Sequence, residues 1–458
     1  MKKSLPLTLL ALLMSMVVNA YDAVINDIYY NLSEDEATVT YKDTNYGSYY
    51  NTVTIPDIIT YDNKTYRVTG IGPSAFRNCS WLTSIEIPNS VTSIGSLSFY
   101  SCSSLTSITI PDGVTTLNSQ VFQYCTGLTT ITIPESVTVI GESAFSDCRS
   151  LASITIPGSV TRIDQYAFSG CISLSSINIP YGVTTIKTGV FKNCSNLASV
   201  TLPNTVTYIG NDAFYKCSNL TSITIPENVT SIGSNAFWQC GLTSIEFLGS
   251  PAISLCAFYG CSSLKSVTIP EGVTAISQQM FQGCTNLTSV TIPGSVTNIY
   301  NKAFYGCSSL TSVTIPDNVT KIDNSAFSGC SSLTTISIGS GIREIGNGAF
   351  SVCPQLTDVY CTAETVPTTR YDAFNSSSIS SATLHVPASA IELYKAKSPW
   401  NGFGEIVSIT TPVNSIFYDD PVTKGPLYYD LNGRLSVPQK GLNIIRYSDR
   451  TSKKVLKM

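Results

Sequence analysis

Residues 105–125 read LTSITIPDGVTTLNSQVFQYC. In this stretch Ile108 and Ile110 alternate with Ser107 and Thr109, and a period of two predicts a strand with one buried and one exposed face. Proline follows at position 111 and cannot donate a ladder hydrogen bond, so we expect the strand to end there. The Asp-Gly pair at 112–113 is typical of a turn.

The remainder of the stretch predicts that the chain folds back to the side on which the strand began. Val114, Leu117, Phe122 and Cys125 should point inward and close one coil before Leu128 opens the next strand. Thirteen cysteines mark the same place in successive units: Cys79, Cys102, Cys125, Cys148, Cys171, Cys194, Cys217, Cys240, Cys261, Cys284, Cys307, Cys330 and Cys353. The step is 23 residues except for the 21 that end at Cys261, and a phenylalanine precedes each cysteine by three positions.

A fixed period of this length indicates a solenoid, in which each unit buries its apolar face against its neighbours. We therefore predict a mainly β repeat solenoid of about 23 residues per coil. A parallel strand sheet should form one face, and turns or short helical segments should form the other. The inward Leu, Ile, Val, Phe and Cys columns should form a continuous core.

The repeat pattern L-x-x-I-x-I-P-x-x-V-T-x-I-x-x-x-A-F-x-x-C resembles that of the BspA-like family of bacterial leucine-rich repeats. The resemblance spans residues 68–356, as thirteen units, and implies a leucine-rich repeat solenoid that adheres to host matrix proteins or to other microbes. Two units depart from the pattern. The unit from Leu242 to Cys261 is shortened, and the unit at Leu333 carries Gly339 in place of the proline. We interpret both as local changes in curvature, with a functional notch at the shortened unit as the alternative.

The two ends of the chain differ from the repeats. Residues 1–20 combine Lys2 and Lys3, an apolar stretch and a small-residue cleavage site at 18–20, which together predict a secretory signal. Residues 21–67 are predicted to form an N-terminal cap and residues 357–410 a C-terminal cap, with a short helix over 388–397. Capping is needed because an open coil would expose core and strand edges.

The tail, residues 411–458, contains short strand-like segments and a basic end. It resembles the C-terminal sorting tails of proteins that the type IX secretion route exports across the outer membrane. The resemblance implies a delivery signal, with cleavage or surface attachment left open. The alternative is a small terminal β segment with no sorting role.

Composition excludes several functional classes. Removal of Lys2 and Lys3 changes the formal charge from −4 to −6, which argues against a nucleic-acid partner. Beyond the first twenty residues no segment is continuously apolar for the length of a membrane span. No Cys-x-x-Cys spacing occurs, so we expect no structural zinc site. The repeating cysteines are predicted to be a buried ladder of free thiols; a bridge from Cys256 or Cys361 stays open.

The sequence argues against an enzyme. His385 is the only histidine and has no evident partner in the sequence, which excludes most histidine-based triads and metal centres. Asp112 and Glu135 occupy one turn position in neighbouring units, but the position varies irregularly elsewhere and indicates a solvated turn. We predict no catalytic residue, no metal site and no cofactor.

Binding should occur across repeats, so we compared equivalent positions of successive units. One outward strand position carries Thr in most units and is interrupted by Glu86, Asn178 and Glu246. A second hydroxyl row lies two positions earlier. The rows either reflect the suitability of Thr for exposed strands, or form a strip that hydrogen-bonds a long partner, with the three interruptions setting specificity.

The position after the recurring phenylalanine is more variable and includes three consecutive aromatics, Tyr215, Trp238 and Tyr259, beside the shortened unit. Aromatic faces are common platforms for sugars and protein anchors. They also pack on one another to shield an edge, and the sequence leaves both interpretations open.

These observations predict an exported, non-catalytic recognition or adhesion protein, secreted or held at the outer cell surface. Its expected partner is a host extracellular-matrix protein or another microbial surface, bound through the repeat faces. Glycan capture is one alternative and a structural surface spacer with no specific ligand is another. The oligomeric state cannot be predicted from the sequence.

Overall fold

A computed structural model describes residues 20–409 and the backbone of five strands in the tail. The chain divides into two compact units, residues 1–220 and 221–458. Each unit is a coil of short parallel strands, and the predicted mainly β, parallel-strand solenoid is confirmed. The predicted secretory signal lies outside the described residues except for Ala20.

The first row of strands is formed by the segment with alternating isoleucines, as the period of two predicts. In the first unit its strands are Asn51–Thr54, Leu82–Glu86, Ser107–Thr109, Thr130–Thr132, Ser176–Asn178 and Ser199–Thr201. In the second unit they are Ser222–Ile225, Ser244–Phe247, Ser266–Thr268, Ser289–Thr291, Ser312–Ile315, Thr335–Ile338, Asp358–Cys361, Thr383–Val386 and Glu405–Ser408. In many neighbouring coils equivalent residues pair in register, as Ser107 does with Thr130, whereas residues 151–157 form no strand.

A second row of strands follows the turn after the proline. Its members in the first unit are Ser93–Ile94, Thr116–Leu117, Val139–Ile140, Arg162–Ile163, Thr185–Ile186 and Tyr208–Ile209. In the second unit they are Ser231–Ile232, Ala252–Ile253, Ala275–Ile276, Asn298–Ile299, Lys321–Ile322, Glu344–Ile345 and Thr368–Thr369. Each strand is only two residues long, and in most coils its second residue is a buried isoleucine or leucine.

The segment that carries phenylalanine and cysteine is a turn in every repeat. It is nevertheless tied to the next coil, since Phe122 N donates to Ala144 O at 2.9 Å and Tyr124 N donates to Ser146 O at 2.9 Å. The residue before each cysteine lies in the left-handed region, for example Asp147 with φ 57°. Asn, Asp and Gly tolerate that region best, and one of them precedes the cysteine in many coils.

Columns of phenylalanine and cysteine fill the interior. In the first unit the rings from Phe76 to Phe214 stack nearly parallel with centroids 5.1–5.7 Å apart. In the second unit the stack runs from Phe237 to Phe374 with centroids 5.0–5.6 Å apart. All fifteen cysteines are buried and free, including Cys256 and Cys361, so the predicted ladder of free thiols is confirmed.

The thiols do more than fill space. Cys148 Sγ donates to Phe122 O at 3.1 Å, and Cys171 Sγ donates to Phe145 O at 3.1 Å. The same contact recurs in most coils of both units, at 3.0–3.6 Å. A thiol is a weak donor, so cysteine combines a small apolar volume with a proton for a carbonyl of the preceding coil.

The ends are built from other elements. Strands Ala23–Ile25, Ile28–Ser33, Glu36–Thr40, Ile58–Tyr61 and Lys64–Ile71 form a mixed sheet at the start of the first unit. In the second unit a helix Ile391–Lys395 follows a 3-10 turn Ala388–Ala390, as predicted for 388–397, and two further 3-10 turns are Ile379–Ser381 and Trp400–Gly402. The first strand row continues past Leu356, so the boundaries at 67, 356 and 410 stay predictions.

The tail strands are Ile416–Asp419, Pro426–Tyr429, Leu435–Ser436, Gly441–Arg446 and Ser452–Lys457. They form one sheet in which the first and fourth strands pair in parallel and the other pairs are antiparallel. Among residues 20–409, no helix has both the length and the apolar character needed to span a bilayer.

The shortened repeat keeps both strand rows. Ser244–Phe247 pairs in register with Ser222–Ile225, and Ala252–Ile253 pairs with Ser231–Ile232. One missing residue is therefore lost before Ser244, where the offset from the preceding coil is already 22, and the other is lost in the loop between the two strands, where Gly249 passes close to the preceding coil. A Cβ atom at Gly249 would lie 2.3 Å from Glu227 O.

We expect Gly249→Ala to lower the free energy of unfolding by about 1–3 kcal/mol, the usual cost of overpacking. Backbone atoms form the obstacle, so no side-chain rotation relieves it. Gly294→Ala is the matched control in the same unit, because a Cβ there meets no atom within 4 Å. Chemical denaturation of both variants checks this, and equal stabilities would contradict the close approach.

Candidate binding surfaces

Two side-chain positions of each strand in the first strand row point outward. Their residues in successive coils form the Ser/Thr strip, which has one segment in each of the two compact units. In the first unit it comprises Ser107, Thr109, Thr130, Thr132, Ser153, Thr155, Ser176, Asn178, Ser199 and Thr201, all exposed. Paired strands lie about 4.8 Å apart and alternate residues about 7 Å apart along a strand. The strip is therefore a grid of small polar groups with strand spacing, except that Ser153 and Thr155 lie on a segment that forms no strand.

The side chains of the strip differ from neighbouring hydroxyls in their bonding. Thr129 and Thr138, which flank it in sequence, donate to carbonyls of the preceding coil at 3.0 and 3.3 Å. The same backbone contact recurs for the equivalent Thr or Ser of many other coils. From Ser107 to Thr201, by contrast, no strip side chain has a hydrogen bond within the described residues. These hydroxyls are left to solvent or to a partner.

Two of the three predicted interruptions bond with a strip neighbour. Thr54 Oγ1 donates to Glu86 Oε2 at 3.1 Å, and Thr224 Oγ1 donates to Glu246 Oε2 at 2.8 Å. Asn178 is exposed and pairs through its backbone with Thr201. Glu86 and Asn178 are four coils apart in the first unit, or about 19 Å at the usual strand spacing. They do not converge on one pocket.

The predicted aromatics lie on the turn segment of the coil and not on the strip. In the second unit Trp238 and Tyr259 are half-buried and stack face to face, with centroids 3.7 Å apart and planes at 8°. In the first unit Tyr215 lies against the ammonium groups of Lys192 and Lys216, at 4.8 and 5.5 Å. Each of these rings thus has a packing partner within its own unit.

The histidine has a partner that sequence reasoning missed. His385 Nε2 lies 2.9 Å from Asp358 Oδ1, and the imidazole stacks on the Tyr360 ring at 4.2 Å. Tyr360 and His385 are register neighbours that extend the strip in the second unit. Their separation of 25 residues departs from the repeat step, so the period does not reveal the contact.

The described side chains do not favour metal binding or nucleophilic catalysis by a thiol. Within the described part of the chain, no group of three or more His, Cys, Asp or Glu side chains is arranged to hold a metal ion. Burial raises the pKa of the Cys194 and Cys284 thiols to about 12, which keeps them protonated. A protonated, enclosed thiol is a poor nucleophile.

Comparison with known proteins gives a consistent result. The family described as BspA type Leucine rich repeat region (6 copies) matches residues 42–173, 138–252 and 251–380. A leucine-rich repeat protein from Bacteroides ovatus ATCC 8483 is 34% identical, covering 74% of this chain and 94% of that chain with a TM-score of 0.64. A leucine rich cell surface protein from Faecalibacterium prausnitzii A2-165 is 32% identical over 85% of this chain and 95% of that chain, with a TM-score of 0.49. No curated protein gives a match.

Proposed function

The chain belongs to the BspA-type leucine-rich repeat family, and from that premise we propose that it is an exported, non-catalytic recognition protein of the outer cell surface. Its partner is an extended molecule, such as a host matrix protein or a component of another microbial surface. Members of the family are typically cell-surface or secreted proteins. The predicted secretory signal at residues 1–20 and the sorting-like tail at 411–458 support the same location.

The observation that carries the proposal is the Ser/Thr strip. Its side chains are exposed, regularly spaced and without hydrogen bonds to the protein from Ser107 to Thr201. A regular array suits a ligand with its own repeat, because each coil adds one equivalent contact. Glu86 and Glu246 would set local preference as charged positions in rows that consist mostly of Ser and Thr.

Capture of a neutral glycan is the second candidate. Hydroxyl groups both donate and accept hydrogen bonds, and a polysaccharide chain offers both at a regular spacing. The third candidate, a spacer without a specific ligand, predicts that the strip hydroxyls have no role in any interaction. One experiment distinguishes all three.

The test removes hydroxyl groups without changing shape. The full chain is applied to an array of host matrix proteins and glycans, beside a variant with Thr109→Val, Thr132→Val and Thr155→Val. Each lost hydrogen bond is worth about 0.5–1.5 kcal/mol, so we expect binding to weaken at least about tenfold. Valine suits exposed strands, so thermal unfolding should not change.

The control carries Thr115→Val, Thr138→Val and Thr161→Val, the same chemistry on exposed residues away from the strip. It should bind as the parent does. A third variant, with Tyr215, Trp238 and Tyr259 all changed to alanine, tests the turn segment. Loss of binding only in this third variant would place the site at the aromatics. Absence of binding by the folded parent would favour the spacer.

A further inference from the structure

An arginine held between two tyrosine rings lies near the N-terminal end of the first unit. The Arg77 guanidinium carbon is 5.0 Å from the centroid of Tyr46 and 5.1 Å from that of Tyr100. Tyr41 packs edge-on against Tyr46, and Tyr124 packs edge-on against Tyr100. We call these five side chains the arginine stack. Aromatic faces attract a cation at these distances, so both rings help to hold the guanidinium in place.

The stack joins the loop over residues 42–50 to the repeats. Gly47 N donates to Arg77 O at 2.9 Å, which holds the loop that carries Tyr46. Gly47 has φ 68°, and a Cβ atom there would lie 3.2 Å from Asn78 O. Tyr100 comes from the next coil, whose carbonyl accepts a hydrogen bond from Asn78 N at 2.7 Å. The two flanking rings are thus positioned by backbone contacts.

Among residues 20–409 the arginine has no acidic partner. Across residues 20–409, no carboxylate lies within ion-pair distance of Arg77, and its Nε is buried without an acceptor. By contrast Arg149 pairs with Asp147 at 3.1 Å, and Arg162 pairs with Asp164 at 3.3 Å. Arg77 is half-buried and its Nε is enclosed, so the terminal nitrogens are the groups left to meet a ligand.

We propose that the arginine stack binds the carboxylate of an acidic sugar. The edge of a guanidinium matches a carboxylate in a bidentate fork, and rings beside it offer surfaces for the apolar face of a sugar. Tyr124 is 38% exposed and supplies such a surface. A single guanidinium matches a single negative charge, so a carboxylate fits better than a dianionic phosphate.

The backbone around the stack disfavours a peptide. The N–H groups of Asn78, Ser101 and Tyr124 all donate to carbonyls of the following coil. An extended peptide gains affinity mainly from main-chain hydrogen bonds to a free edge, and these groups offer none. The site is separate from the Ser/Thr strip and does not rest on the function proposed for it.

Isothermal titration of the full chain tests the site with trigalacturonic acid, its methyl ester, 3′-sialyllactose and lactose. We expect the two acidic sugars to bind and the two neutral ones not to. The galacturonate and sialic-acid arms distinguish the source of the carboxylate. Arg77→Gln should weaken binding at least about tenfold, since bonds to charged groups are the strong ones. Arg77→Lys keeps the charge and loses the fork, so it should weaken binding as well.

Arg149→Gln is the matched control, since that arginine already has a carboxylate partner, and it should bind as the parent does. Thermal unfolding verifies that each variant is folded. If Arg77→Gln does not fold, Arg77→Lys is the variant that tests the proposal. Equal affinity of parent and folded Arg77 variants would overturn the proposal. Equal binding of the methyl ester, binding of no sugar, or binding only of a tri-glutamate peptide would also overturn it.

Discussion

Phe145→Ala is expected to lower the free energy of unfolding by about 3–5 kcal/mol, the range for truncating a fully buried aromatic side chain. The ring is 0% exposed and lies between Phe122 and Phe168, with centroids at 5.5 and 5.4 Å. Because backbone hydrogen bonds tie the coil to its neighbours on both sides, the cavity cannot collapse. Denaturant unfolding followed by circular dichroism measures the loss.

Tyr181→Ala provides the comparison, because it removes an aromatic ring of the same unit that is 67% exposed. Its effect should stay within about 0.5 kcal/mol, as for most surface substitutions. Repeats contact only their neighbours, so hydrogen exchange in Phe145→Ala should rise first in the coils of Phe122 and Phe168. A loss below about 1 kcal/mol would show that the phenylalanine column does not carry the stability of the solenoid.

The parts of the fold that sequence predicts well are those that repeat. Phe145 and Cys148 occupy a place in the coil that carries the same residue types in all thirteen repeats. Their burial could therefore be predicted from thirteen copies of one pattern. The alternation of Ser107, Ile108 and Thr109 predicted a strand, and the structure contains one. Left-handed positions before the cysteines were not predicted, although the frequent Asn, Asp and Gly there were an available signal.

The parts that sequence could not predict depend on contacts outside the period. Arg77 meets Tyr46, which lies in a loop before the repeats, and no spacing rule relates the two. Asp358 and His385 lie on paired strands whose register offset is 25 residues, so the 23-residue step does not relate them. The bond from Cys148 to Phe122 O depends on the offset between adjacent coils, which is a property of the backbone. The first two are tertiary contacts without a periodic signature, whereas the thiol–carbonyl bond recurs from coil to coil but its geometry cannot be read from residue types.

Alkaline solution is expected to unfold the protein cooperatively near pH 10. Burial raises the pKa of the Cys194, Cys284 and Cys353 thiols to about 12, and burial holds those of Cys148 and Cys171 well above their usual value. A pKa that is raised on folding means that the protonated thiol favours the folded state. The stabilisation is complete below pH 9 and is lost as the pH rises toward 12, at about 1.4 kcal/mol per pH unit for each thiol.

The slope with pH tests this mechanism, because stability at neutral pH also depends on packing. A variant with Cys148, Cys171 and Cys194 all changed to alanine loses three titrating groups. Its free energy of unfolding should therefore fall less steeply above pH 9, by about 4 kcal/mol per pH unit. Denaturant unfolding in reductant between pH 8 and 10 gives both slopes. Alkylation of the native parent at pH 8 should modify none of the fifteen cysteines, which are all buried, and denaturant should expose all of them.

Parallel slopes, or rapid alkylation of the folded chain, would show that the thiol ladder does not set the alkaline limit. Different slopes would show that the cysteine column, whose thiols are small and weak hydrogen-bond donors, also sets the pH range over which the solenoid stays folded.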